Sequence, residues 1–180
     1  MNPNATITDE QFKAYLKKVR DMVEGPYTEW QKEIEVTNTF PEKFYQSNID
    51  NDIYRYSLPV EYGGWGLSEK EILQEEFSRG PSGMRMHMHY ASDLNWRILN
   101  DFGQPEIKEK YMPLFQDKTI FTNFALTEKS GGTGADLHST AVWDEEKGKW
   151  ILNGEKWLIS HTDCSQFSYV ICVTDPDKKG

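Results

Sequence analysis

Phe124-Ala125-Leu126-Thr127-Glu128 is an apolar run that ends in a hydroxyl and a carboxylate and then breaks into Ser130-Gly131-Gly132-Thr133-Gly134-Ala135-Asp136. A second stretch, Asn153-Gly154-Glu155-Lys156-Trp157-Leu158-Ile159-Ser160, follows shortly after and also ends in a hydroxyl. Consecutive glycines remove Cβ atoms and permit positive φ, so backbone N–H groups can come close to a ligand. On its own the turn has two readings, a ligand cradle or an ordinary loop of small residues.

Working outward, β-branched and aromatic residues cluster at Thr119 to Leu126, Ser139 to Trp143, Trp150 to Leu152, Trp157 to Ser160 and Phe167 to Val173, which predicts strands. Lys147-Gly148 and Asn153-Gly154 supply turn chemistry, the second being the preferred pair for a two-residue hairpin. The expectation is an antiparallel meander opening a β domain at about Lys118. The chain closes on a polar turn, Asp175 to Gly180.

Before Lys118 the period is helical. Thr8 and Gln11 have capping-box spacing, and Phe12, Tyr15, Leu16, Val19, Met22 and Val23 recur at helical intervals until Gly25-Pro26. Tyr27 to Phe40 is less regular, Thr37-Asn38-Thr39 breaks it, and Pro41 starts a short helix toward Asn48. Leu58 to Ser68 holds too many glycines for a helix, and Ser68 with Glu71 marks a second capping box for a segment ending at Arg79. From Met84 a stripe through Met88, Ala91, Trp96, Ile98, Leu99 and Phe102 predicts one central helix up to Gly103. Pro105 starts another, which Pro113 should bend or finish.

With 20 basic and 29 acidic residues among 180, the net charge of -9 argues against a nucleic-acid or anionic-membrane partner. The start is polar with no signal-like apolar region, and the longest apolar-leaning run, Cys164 to Thr174, is too short to span a bilayer. Cys164 and Cys172 read as small core or surface residues rather than a disulfide or metal pair. His87 and His89, two apart on a helix, face different sides, so no shared metal site is expected. Glu75-Glu76 and Glu145-Glu146 read as solvated faces. A cytoplasmic or organellar-matrix location is the expectation.

Three features occur in order: Leu58-Pro59-Val60-Glu61-Tyr62-Gly63-Gly64-Trp65-Gly66-Leu67-Ser68, then Phe124 to Asp136, then Leu152 to Ser160. As an ordered set they resemble the acyl-CoA dehydrogenase family of flavoproteins, over nearly the whole chain but only the first half of a family member. The resemblance implies an α+β fold: an all-α helical domain at residues 1–118, followed at 119–180 by the opening antiparallel strands of a β-barrel-like middle domain. The family's C-terminal helical domain would be absent.

The resemblance also implies FAD as cofactor. Thr127 would donate to the flavin, with Phe124 and Leu126 flanking it. Ser160 would offer a hydroxyl to the ring edge, beside Ile159 and with Leu158 as an apolar cover. The turn departs from the family pattern: Lys129-Ser130-Gly131 stands where one proline is usual, and Ala135 replaces a serine that helps hold the thioester arm. Backbone contact from Gly134 to the cofactor and from Ala135 to the substrate are what remains implied. Trp157 stands one position early for the family's ring-flanking tryptophan, and strand alternation would turn it to the other face. His161 is read as an exposed loop residue and Asp136 as a turn residue.

The implied reaction removes the α-proton of an acyl-CoA and passes the β-hydrogen as hydride to the flavin, with an electron-transferring flavoprotein as acceptor and a homo-oligomeric enzyme. The family's catalytic glutamate lies in its C-terminal domain, so no catalytic residue is expected here, Glu128 is read as structural, and the chain alone is expected to be inactive. The alternatives are a same-fold flavin monooxygenase or acyl-CoA oxidase, and a non-enzymatic helical subunit whose exposed strand edges pair with a fuller partner.

Overall fold

The amphipathic N-terminal stripe folds as read. The structure, a computed structural model, describes residues 6–67, 70–116, 120–131, 136–175 and 177. Helix α1 (Asp9–Glu24) starts on the expected box: the Gln11 N–H donates to Thr8 Oγ1 at 3.3 Å and the Thr8 N–H to Gln11 Oε1 at 2.7 Å. It buries Phe12, Tyr15, Val19, Met22 and Val23. Pro26 opens α2 (Pro26–Thr37), which ends on Asn38 in the left-handed conformation, φ 54°, with its N–H on the Ile34 carbonyl at 2.7 Å. Helix α3 (Glu42–Asp50) follows.

From Asn51 to Leu67 the chain is irregular apart from one 3₁₀ turn, Val60–Tyr62, yet it buries Ile53, Tyr54, Tyr56, Leu58 and Leu67. Backbone bonds fold it on itself: Gly66 N–H to Leu58 O and Leu67 N–H to Tyr56 O, each at 3.0 Å. A Cβ at Gly64 would lie 1.9 Å from the Leu58 carbonyl oxygen, which is why a glycine stands there.

Helix α4 (Lys70–Phe77) packs on α1. The expected capping box falls on Ser68, which lies outside the described residues. Glu75 is exposed as read, but Glu76 is buried and corrects the solvated-face reading. Arg20 on α1 donates from Nε to Glu76 Oε2 at 2.8 Å, and Arg79 Nε approaches the same oxygen at 3.0 Å. The Arg20 hydrogen bond, ahead of the nearby charges, holds this carboxyl below the usual range against the opposing effect of burial.

The single central helix expected from Met84 to Phe102 is two helices, α5 (Ser82–Ser92) and α6 (Leu94–Phe102). The Ser92 carbonyl accepts from Ser57 Oγ and from Trp96 Nε1 at 3.1 Å, while the Trp96 N–H turns to Asp93 O at 3.3 Å. The ladder therefore breaks at Asp93, with φ −134° and ψ −74°. Met84, Met88, Trp96 and Leu99 are buried as the stripe predicts, whereas Phe102 is exposed. His87 is buried among Phe40, Phe44, Tyr45 and Tyr54, with Nε2 3.0 Å from the Tyr54 hydroxyl. Helix α7 (Pro105–Gln116) is not finished by Pro113: it continues through it, with Met112 and Phe115 buried on either side.

The helices form one compact unit, residues 1–120, and residues 121–180 form another. In the second unit β1 (Thr122–Ala125) pairs in parallel with β4 (Phe167–Val170), and β2 (Thr140–Asp144) pairs antiparallel with β3 (Lys149–Asn153). The antiparallel pair is present with its Lys147-Gly148 turn, but a full meander is not. Asn153-Gly154 ends β3 instead of closing a hairpin, and Trp157 to Ser160 is not a strand. Beyond β4 the chain crosses from one sheet to the other: Ile171 N–H bonds Ala125 O at 3.1 Å, Val173 N–H bonds Ser139 O at 2.8 Å and Ala141 N–H bonds Val173 O at 3.0 Å. Among the described residues no helix is long and apolar enough to cross a membrane.

Candidate functional site

Glu128 is the hub of the second unit. A buried carboxylate must be paired, and this one accepts from Lys156 Nζ and the Ser139 N–H on Oε1, each at 2.9 Å, and from the His138 N–H on Oε2 at 2.7 Å. The Ser139 side chain beside it, then Lys156, then the backbone N–H groups hold its carboxyl far below the usual carboxylate range. A carboxylate so engaged is a poor proton acceptor, which bars Glu128 from general-base work and fits the structural role read for it.

Its backbone closes the turn that departs from the family pattern. Glu128 N–H donates to Gly131 O at 2.8 Å and Gly131 N–H returns to Glu128 O at 3.2 Å, so Lys129 and Ser130 form the tip. A Cβ on Gly131 would meet the Asp136 carboxylate at 2.1 Å. Lys129 Nζ sits 5.4 Å from the centre of the Trp157 ring. The extra turn residues and the early tryptophan, two departures read separately in the sequence, touch each other.

Ser130 Oγ lies 3.2 Å from His138 Nδ1, and Glu128 Oε2 lies 3.6 Å from the same nitrogen. A serine–histidine–carboxylate relay needs the two partners on different ring nitrogens, so this cluster is not a nucleophile triad.

The two hydroxyl-bearing stretches are tied together. The Trp157 N–H donates to Thr127 O at 2.8 Å and Lys156 Nζ to Leu126 O at 3.0 Å. Thr127 and Ser160 are exposed, and Phe124, Leu126 and Ile159 are half-buried. Leu158 is 82% exposed. Positive φ at Leu158 (52°) and His161 (65°) explains why this stretch is a turn, so strand alternation does not govern Trp157. Thr162 Oγ1 closes the turn on Ile159 O at 2.7 Å. His161 is half-buried rather than exposed, and burial pushes its imidazole pKa down.

Strand alternation separates Phe124 from Asn123 and Ala125. The latter two line an open groove of about 320 Å³ with Lys156, Ile159, Thr162, Ser168 and Val170. Ile159 thus opens on the face opposite Phe124. Gly134 and Ala135 lie outside the described residues. Sequence reading missed Lys156, whose lone charge beside Glu155 in a polar stretch gives no signal before its partner is known.

Gly154 fixes the approach of the segment after β3 to Ser139. A Cβ there would lie 2.3 Å from Ser139 Oγ and 2.7 Å from Ser139 Cα. Gly154→Ala is expected to destabilise the second unit by about 1–3 kcal/mol, the usual cost of overpacking. Urea unfolding followed by tryptophan fluorescence measures it, and an unchanged midpoint would show that Ser139 gives way.

The models of two protein domains match this chain: the N-terminal domain of acyl-CoA dehydrogenase at residues 8–118 and its middle domain at residues 123–180. The chain belongs to the acyl-CoA dehydrogenase family. It is 31% identical over 176 residues to the cyclohex-1-ene-1-carbonyl-CoA dehydrogenase of Syntrophus aciditrophicus (strain SB), covering 96% of this chain and 42% of that protein. It is 30% identical over 174 residues to the 3-(aryl)acrylate reductase of Clostridium sporogenes (strain ATCC 15579), covering 94% and 45%. The chain therefore spans under half the length of these curated relatives. The acyl-CoA dehydrogenase from Bacillus anthracis complexed with FAD superposes with a TM-score of 0.79 at 24% identity, over 92% of this chain and 29% of that one, a likeness of fold. The acyl-CoA dehydrogenase resemblance read from the ordered motifs, and with it the helical-then-β fold class, are both shown.

Proposed function

We propose that this chain is the N-terminal portion of a flavin-dependent acyl-CoA dehydrogenase, comprising the helical domain (1–118) and the first part of the middle β domain (119–180). The observation that carries the reading is the bond from Trp157 N–H to Thr127 O, which joins the two stretches nominated for the cofactor. The residues present suit FAD in part: exposed hydroxyls at Thr127 and Ser160 for its polar edge and half-buried Phe124 and Leu126 for its ring system, whereas Ile159 opens on the other face of β1 and does not join them. Gly134 and Leu158 complete the proposed cofactor contacts, with Ala135 toward the substrate. When bound, FAD would accept the hydride from the β-carbon of an acyl-CoA. This chain's part is to hold and orient the cofactor while the proton-abstracting carboxylate comes from outside these residues.

The substrate class is supported by the CoA-thioester name of the Syntrophus relative, and family membership supports an electron-transferring flavoprotein as acceptor and a homo-oligomer. A cytoplasmic or organellar-matrix setting completes the proposal.

Thr127→Ala and Ser160→Ala are each expected to weaken FAD binding by about tenfold, the upper range for one hydrogen bond, and the double variant by about a hundredfold. Quenching of flavin fluorescence on titration reads this. Binding that ignores both substitutions sinks the residue assignment, and an absence of binding sinks the cofactor. Dye reduction by an acyl-CoA with this chain alone would overturn the expectation that it is inactive. The reductase among the relatives favours a second reading, in which the same site hands hydride to a 2-enoyl group. Reoxidation of the reduced flavoprotein by a 2-enoyl-CoA, without oxygen, would select it.

A further inference from the structure

Three consecutive residues of the strand end are gripped by two residues of the segment that follows β3. Lys156 Nζ holds Leu126 O at 3.0 Å and Glu128 Oε1 at 2.9 Å, and between them the Trp157 N–H holds Thr127 O at 2.8 Å. Both ends of the ion pair are largely buried, the side chains being 11% and 4% exposed. A buried ion pair is a weak source of stability, because desolvation offsets the attraction and an apolar pair can do as well. What an apolar pair lacks is an ammonium that can also fix a neighbouring carbonyl.

That carbonyl determines a donor. A peptide is planar and trans, so its C=O and N–H point to opposite sides. With Leu126 O turned onto Lys156, the Thr127 N–H is presented away from the segment that carries Lys156. The same rule sends the Glu128 N–H away from Trp157, and it is found on Gly131 O at 2.8 Å.

We propose that Lys156 is a positioning residue: its ammonium latches the Leu126–Thr127 peptide so that the Thr127 N–H and hydroxyl are offered to the cofactor, with Glu128 holding the ammonium in place. The cofactor half of this rests on the flavin reading above, while the latch itself does not.

Hydrogen exchange by NMR tests the latch directly. In Lys156→Met the Trp157 amide is expected to lose protection by about tenfold or more, while the Ala141 amide, bonded to Val173 O, keeps its own. Lys156→Arg, which keeps a cation, is expected to restore part of the loss. Glu128→Gln, which keeps the shape and removes the charge, is expected to lower Trp157 protection too, so the test survives if Lys156→Met does not fold; because Glu128 also holds the Ser139 N–H, beside the Val173 and Ala141 bonds, the control for this variant is the Gln166 amide on Phe121 O. Unchanged Trp157 protection in the folded variants overturns the proposal. Equal loss at the variant's control amide also overturns it, because Lys156 is then a general structural residue. In parallel, FAD affinity should fall in Lys156→Met with a shift of the flavin absorption band, and Lys156→Arg should recover both. A wild-type chain that binds no FAD removes the flavin reading and leaves the exchange result to decide the latch.

Discussion

Phe77→Ala is expected to lower the stability of the helical unit by about 3–5 kcal/mol, the range for deleting a buried aromatic ring. Phe77 closes α4 with no exposed surface and meets Tyr56 edge-on, with ring centres 6.2 Å apart. Tyr56 forms one wall of the gap and is held in place by its hydroxyl, 3.0 Å from Ser92 Oγ. Most of the cavity should therefore remain. Urea unfolding followed by helical circular dichroism measures the loss. Val36→Ala, at a side chain 87% exposed on α2, is the comparison and should stay within about 0.5 kcal/mol of wild type. A Phe77→Ala loss under about 1 kcal/mol would mean that the core repacks around the missing ring.

The same residues show what was legible in the sequence. Helix α1 was, because its cap, its stripe and its Gly25-Pro26 stop are all local and agree. The break between α5 and α6 was not. The Ser92 carbonyl at the break is taken by the Trp96 indole and by Ser57, 35 residues earlier, and no periodicity within the helix announces the second of these. Glu76 was misread for the same reason: two adjacent acids look solvated until Arg20, 56 residues earlier, is brought alongside.

In the second unit, residue preference located β1, β2, β3 and β4 but not their pairing. A parallel partner needs a long connection, and the one between β1 and β4 contains the paired strands β2 and β3. Asn153-Gly154 carries the preferred hairpin pair, yet the glycine is used for its lack of a Cβ against Ser139. The ordered motifs identified the family and nominated Thr127 and Ser160, whose stretches the structure ties together through Trp157. Lys156 stayed invisible because its partner stands 28 residues away and a single lysine has many ordinary reasons to exist.

Acid is expected to loosen the second unit through Glu128. Its folded carboxyl lies far below the usual value, owing to the Ser139 side chain, Lys156 and the backbone N–H groups of His138 and Ser139. In the unfolded chain it titrates near the ordinary glutamate value of about 4.3. As pH falls, the unfolded chain therefore binds this proton first. The stabilisation is complete above about pH 4.3, drains progressively below it, and would be fully gone only beneath the depressed folded value. Glu76, lowered by Arg20, gives the helical unit an acid response of the same sign, and Asp144, lowered by Lys147, adds a smaller exposed contribution. Unfolding midpoints across pH 2–7, read from the hairpin tryptophans, should fall below pH 4 in wild type and lose much of that slope in Glu128→Gln. That variant should already be weaker at pH 7, since it leaves the largely buried Lys156 ammonium without its counter-charge. An unchanged slope would place the acid sensitivity elsewhere. A Glu128→Gln protein as stable as wild type at pH 7 would count against the part given to Glu128 in holding the Lys156 ammonium.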